Sequence, residues 1–153
     1  MTASNHFVTG AVIGASLTNP WIAAPLAVAS HFVLDALPQY GYEGPKEKRR
    51  AGFTLFQWVL VLDTPMAAIC IWALAFVIDR PELVVFGLLA YSPDLVWLYK
   101  FSITEKFGKR FLPNNNWFTN FHARIQKLEH PLLIIWEIIF FIAMFVLLVW
   151  VSA

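Results

Sequence analysis

The stretch Leu132–Val151, LLIIWEIIFFIAMFVLLVWV, holds a single charged residue, Glu137. A helix of that length rises about 30 Å, the thickness of the hydrocarbon core of a bilayer. It therefore reads as a membrane span, and it sets the scale for the rest of the chain. Phe53–Ile78 carries only Asp63 and Leu83–Tyr99 only Asp94, so both read as further spans. Phe7–Leu37 is too long for one straight span, and Asn19-Pro20 interrupts it with a strong turn signal. It reads as a tight helical hairpin, one arm before Asn19 and one from about Pro20 to Leu37. Gly10 and Gly14 form a GxxxG, and Ala23, Ala27 and Ser30 add small residues that let helices approach closely.

Composition agrees. Hydrophobic residues make up 59% of the 153 and charged residues 14%, against about 25% charged in a soluble domain, whose surface must face water. The expected fold is all-α: one multi-span transmembrane domain over 1–153. Cys70 is the only cysteine, so no intramolecular disulfide can form. Residues Met1 to Asn5 lack the basic segment of a signal peptide, so the N-terminus reads as retained.

Charge sets the orientation. Lys46, Lys48, Arg49 and Arg50 lie in one long loop, and Lys100, Lys106, Lys109, Arg110, Arg124 and Lys127 lie in another. Two spans separate these loops, so both fall on one side, which the positive-inside rule makes cytoplasmic. The expected location is the cell (inner) membrane, multi-pass, with the bilayer as the first partner. Within the second loop, Trp117, Phe118, Phe121, Ile125 and Leu128 recur at helical spacing. His122, Gln126 and Glu129 line one edge of that stripe, the pattern of a helix lying in the interface before the last span.

The ionisable residues fall unevenly. His31 and Asp35 share a helix face near the cytoplasmic end of the second arm. Asp94 follows Ser92-Pro93 near the cytoplasmic end of its helix, Asp63 lies about 15 Å into its own, and Glu137 lies one to two turns into the last. His122, Glu129 and His130 occupy the interfacial segment, and a hairpin brings His6 to the same level. A carboxylate in a bilayer helix costs several kcal/mol unless it is paired, hydrated or liganded, so such residues usually mark a function. The basic residues are all in loops, so a divalent cation is the natural partner. Histidine nitrogen with carboxylate oxygen suits zinc, manganese or iron better than magnesium or calcium, with zinc or manganese expected first. The expected ligands are His6, His31, Asp35, Asp94 and His122, with Asp63 or Glu129 as proton acceptor.

His6, the Gly/Ala-rich helix after it, and HFVLDALP from His31 to Pro38 resemble the opening of the small inner-membrane metal-dependent hydrolases described as LexA-regulated membrane-bound hydrolases. The core of the resemblance is His-xxx-Asp-xx-Pro at a helix end. It covers the first 40 residues, and Ser92-Pro93-Asp94 extends it. It implies that His6, His31 and Asp35 bind metal. Gln39-Tyr40-Gly41 stands where that family often has a histidine or aspartate.

The function expected is metal-dependent hydrolysis at the cytoplasmic face, acting on a lipid or lipid-linked ester or phosphoester. One alternative is a non-catalytic membrane protein with a structural metal or polar site. A cation transporter is the other, and the nearly pure apolar external half argues against its continuous polar path. No GxSxG elbow, phosphate-binding glycine loop or CxxC pair supports serine-hydrolase, nucleotide or redox chemistry. The basic loops read as topology signals, so nucleic acid is not an expected partner.

Overall fold

The computed structural model describes residues 1–40, 55–95, 117–126, 128 and 130–153. These residues form helices joined by turns, without strands. In chain order they are α1 (Ala3–Ser16), α2 (Pro20–Asp35), α3 (Leu55–Trp72), α4 (Glu82–Tyr91), α5 (Trp117–Ile125) and α6 (Ile134–Ser152). The loops that carry most of the basic residues lie outside the described residues.

The N-terminal stretch folds into two helices packed on each other. Asn19 starts α2 as its N-cap: its side-chain oxygen accepts from the Trp21 N–H at 3.0 Å, and Pro20 fills the first helical position, where no N–H is needed. The α1 helix is the hub, packed against α2, α3, α4 and α6. Its glycines make that possible. A Cβ on Gly10 would stand 2.6 Å from the Ala90 Cβ, and one on Gly14 would stand 2.6 Å from Cγ of Phe86. In return α4 offers Gly87, where a Cβ would meet the Phe7 ring at 2.6 Å. The GxxxG stripe thus grips α4, and close van der Waals contact of this kind is what holds helices together in lipid. Phe7, Val8, Ala11, Val12, Cys70, Leu74, Leu83 and Leu148 form the core.

Among the described residues one helix, Ile134–Ser152, is long and apolar enough to cross a membrane. The other expected spans are shorter among the described residues. The α4 helix rises only about 15 Å before Pro93, which has no N–H to continue the ladder, turns Ser92–Asp94 into a 3₁₀ turn. The α3 helix relaxes into a π-helical turn, Ala73–Val77, and stops at Asp79, whose φ of 57° lies in the left-handed region. There the Arg80 N–H reaches back six residues to the Leu74 carbonyl at 2.8 Å, closing the end of the π-helical turn.

Large apolar side chains stand on the surface, and polar ones lie inside beside the apolar core. Trp21, Trp72, Phe76, Ile135 and Trp150 are exposed, while Asn5, His6, His31, Asp35, Asp63, His122 and Glu137 are buried. Ile135, Trp136, Ile138, Ile139, Ile142, Val146, Val149 and Trp150 of α6 are exposed, and Glu137 and Leu148 are the two buried residues on it.

Candidate metal centre

Four side chains from three separate segments converge at one end of the bundle. His31 and Asp35 come from the last turn of α2, where their four-residue spacing stacks them on one face. Asp94 ends the 3₁₀ turn after α4, and the Pro93 that breaks the helix also swings this carboxylate toward α2. His122 comes from α5, wedged beside Phe32 and Phe118 at ring-centroid separations of 5.9 and 6.0 Å. One ligand atom from each of the four lies within 4.8 Å of all the others, an arrangement that could hold a metal ion.

The distances support that reading. His31 Nε2 lies 3.1 Å from His122 Nε2, 3.3 Å from Asp35 Oδ2 and 3.7 Å from Asp94 Oδ1. His122 Nε2 lies 2.7 Å from Asp35 Oδ2 and 3.8 Å from Asp94 Oδ1. A tetrahedron with bonds of about 2.0 Å has edges of about 3.3 Å, which these five separations bracket. Hydrogen-bond chemistry adds an independent argument. The Ala90 carbonyl, 2.9 Å from His31 Nδ1, can only accept, so that nitrogen carries the ring proton. In the neutral ring Nε2 is then a bare lone pair aimed at two carboxylate oxygens, an opposition that a cation between them relieves. A ligand histidine whose other nitrogen donates to a carbonyl is the common outer-shell arrangement of metal sites.

Asp35 is the keystone. Its Oδ2 faces the two histidines and accepts from Gln126 Nε2 at 2.8 Å. Its Oδ1 turns away and accepts from His6 Nε2 at 3.1 Å and from the Met1 nitrogen at 2.7 Å. His31, Asp35 and His122 are fully buried, and Asp94 is 20% exposed, so the centre is open on the Asp94 side. A backbone clasp ties the chain after α2 to the chain after α5: Gln39 N–H donates to the Leu128 carbonyl and His130 N–H to the Gln39 carbonyl, both at 3.0 Å.

Of the five ligands expected from sequence, four come together and His6 stands behind them. Its ring stacks on His31 at 4.0 Å and its Nε2 serves the far oxygen of Asp35. Asp63 has a different place from the proton acceptor expected. Its oxygens accept from the Ala3 N–H at 2.6 Å, the Ser4 N–H and the Ser4 hydroxyl, capping α1. Glu137 shares that task, accepting from Thr2 N–H at 2.8 Å, Asn5 Nδ2 at 3.0 Å and Tyr40 N–H at 2.9 Å. Glu129 lies outside the described residues. Gln126 is the site residue that sequence reading left among edge positions, although its four-residue spacing from His122 was the available signal.

No family model, curated protein or solved structure matches the chain.

Proposed function

We propose that this chain is a multi-pass membrane hydrolase. In this reading one divalent ion, zinc or manganese, sits at His31, Asp35, Asp94 and His122 and serves cleavage of a lipid ester or phosphoester at the cytoplasmic face. The observation that carries the reading is the convergence of four ligand atoms within 4.8 Å from helices distant in sequence. Exposed tryptophan and isoleucine around a polar interior support membrane embedding, because lipid reverses the cost of both.

A divalent ion supplies Lewis-acid activation of water and of a carbonyl or phosphoryl oxygen. The protein's own share is to hold and orient. His31, Asp35 and His122 form a buried three-sided cradle whose histidine tautomer is set by Ala90. His6 and Gln126 keep Asp35 from rotating. Asp94, farthest from both histidines and partly exposed, stands where water and substrate enter.

A structural metal is the second reading, and the completed set of four ligands favours it, since structural zinc sites are closed and catalytic ones keep an open position. Asp94→Asn separates the two. Elemental analysis of the purified protein should find one equivalent of metal in both the parent and Asp94→Asn, with ester or phosphoester hydrolysis lost in the variant. Loss of metal together with loss of the folded state in Asp94→Asn supports the structural role, and absence of metal from the parent removes both.

A further inference from the structure

We propose that α5 seats its outer face in the headgroup region of an anionic phospholipid membrane, and that this seat holds His122 in the metal centre. Metal affinity then depends on the lipid surface. The inference rests on the metal reading above and adds to it regulation of that site by the membrane.

The centre is assembled from unequal parts. His31, Asp35 and Asp94 belong to α2 and the end of α4, helices that pack on each other and on α1. His122 comes from α5, a helix of nine residues, and a helix that short is marginal in water on its own. Its order therefore depends on what its faces touch. One face rests on α2, where the Phe32 ring lies 6.1 Å from the Phe118 ring and 5.9 Å from that of His122. The Gln126 amide, 2.8 Å from Asp35 Oδ2, and the backbone clasp at Gln39 fasten its end.

The other face is turned away from the bundle. Trp117, Phe121 and Arg124 fall at i, i+4 and i+7, one stripe of an α-helix, and all three are exposed, Trp117 by 77%. Phe118 and His122 stand one residue, or about 100°, further round the axis. Among the described helices α5 is the most strongly amphipathic, whereas α4 and α6 are apolar nearly all round. That is the contrast between a helix lying in an interface and helices immersed in lipid or protein.

Two further observations name the occupant. Exposed apolar side chains carry on through Leu128 and Leu132 to Ile135 and Trp136 of α6, the helix long and apolar enough to cross a membrane. The outer face of α5 thus leads along the chain into the surface that the reading above gives to lipid. Arg124 stands within the stripe, and an exposed guanidinium on a long apolar stem suits lipid phosphate at the level where a tryptophan ring settles.

The test uses the full chain in nanodiscs of phosphatidylcholine and a phosphatidylglycerol that carries a diazirine near its headgroup. After irradiation, Trp117 and Phe121 should take label in roughly tenfold excess over Phe118, which faces α2. Trp117→Ser combined with Leu128→Ser alters two exposed residues outside the core. Zinc affinity, read by competition with a chelating dye, should fall about tenfold in this variant, as when chains presenting His122 drop to about one tenth. Trp150→Ser, at an exposed position about 24 Å along α6 from its start, should leave affinity unchanged. In maltoside micelles, uncharged and strongly curved, the double variant should match the parent within about twofold, because the seat is already lost there. The bilayer's own attraction for zinc acts on variant and parent alike and cancels in their ratio. The same ratio in micelles as in nanodiscs means that the two residues act through protein neighbours, and overturns the coupling. A parent that binds no zinc while α5 takes label removes the metal centre and the coupling with it, and leaves the lipid seat. Full zinc affinity with α5 unlabelled removes the seat and leaves the centre.

Discussion

Two pairs of acids sit in this bundle, all buried but Asp94, and they are put to opposite uses. Asp63 and Glu137 meet the first residues of α1, where helix geometry leaves N–H groups without partners. Asp35 and Asp94 meet ring nitrogens instead. Backbone donors hold their protons whatever happens nearby, so the first pair is already satisfied and leaves no lone pair facing another. Imidazole nitrogens present lone pairs as readily as protons, so Asp35 Oδ2 and Asp94 Oδ1, which face them, are satisfied fully only when a cation joins them, whereas Asp35 Oδ1 already meets the Met1 ammonium. A carboxylate in an apolar helix is therefore no sign of catalysis by itself; the nature of its partner decides. The first cluster also serves the second, since fixing the start of α1 fixes His6 behind Asp35.

The contrast is sharpest in the largest expected effect. Asp35→Asn keeps shape but removes the charge and one acceptor from the centre, and should weaken metal binding by more than about a hundredfold. Asp63→Asn should leave metal binding within about threefold, because no ring nitrogen depends on it. Titration of purified protein with zinc or manganese, read by competition with a chelating dye, measures both. Comparable losses in the two variants would erase the distinction between the clusters.

Stability reverses the order. Asp63→Ala strands the N–H groups of Ala3 and Ser4 and the Ser4 hydroxyl in a dry interior, at a cost of about 2 kcal/mol. Thermal unfolding of metal-free protein in a mild detergent should show a clear fall in midpoint for Asp63→Ala. Asp94→Ala, at a partly exposed position without a backbone donor, should fall by less than half as much. A larger loss for Asp94→Ala in the metal-free protein would mean that the centre, too, is a structural staple.

The sequence carried the site further than it carried the reasons for it. Asn19-Pro20 made the hairpin legible, because a polar cap followed by proline can only begin a helix there. His31, Asp35, Asp94 and His122 were legible as one group because all fall at the same end of their segments. Pro93 was the signal for the 3₁₀ turn that ends α4, while the residues after Leu95 that the expected span also takes in lie outside the described residues. The roles of Asp63 and Glu137 were not legible at all. Pattern places an acid at a depth, but which donors face it depends on how neighbouring helices pack, here on where α1 begins.

His6 is the residue on which pattern and geometry part most finely, and its replacement is the smallest effect of the series. The resemblance makes it a ligand; its Nε2, 3.1 Å from Asp35 Oδ1 and turned from the other three, makes it a support for one. A supporting hydrogen bond to a ligand carboxylate is worth about tenfold in metal affinity, or about 1.4 kcal/mol. His6→Ala should therefore bind one equivalent of metal at saturation, with a dissociation constant raised about tenfold. A true ligand would instead fall with Asp35→Asn, by two orders of magnitude or more. His6→Gln, whose amide can donate to the same oxygen, should recover part of the loss if the role is support, and none if a ring nitrogen is needed on the metal. The outcome also decides how the Asp35 carboxylate works: pinned through Oδ1 from behind and offered through Oδ2 in front, or shared between two metal-facing histidines on opposite sides.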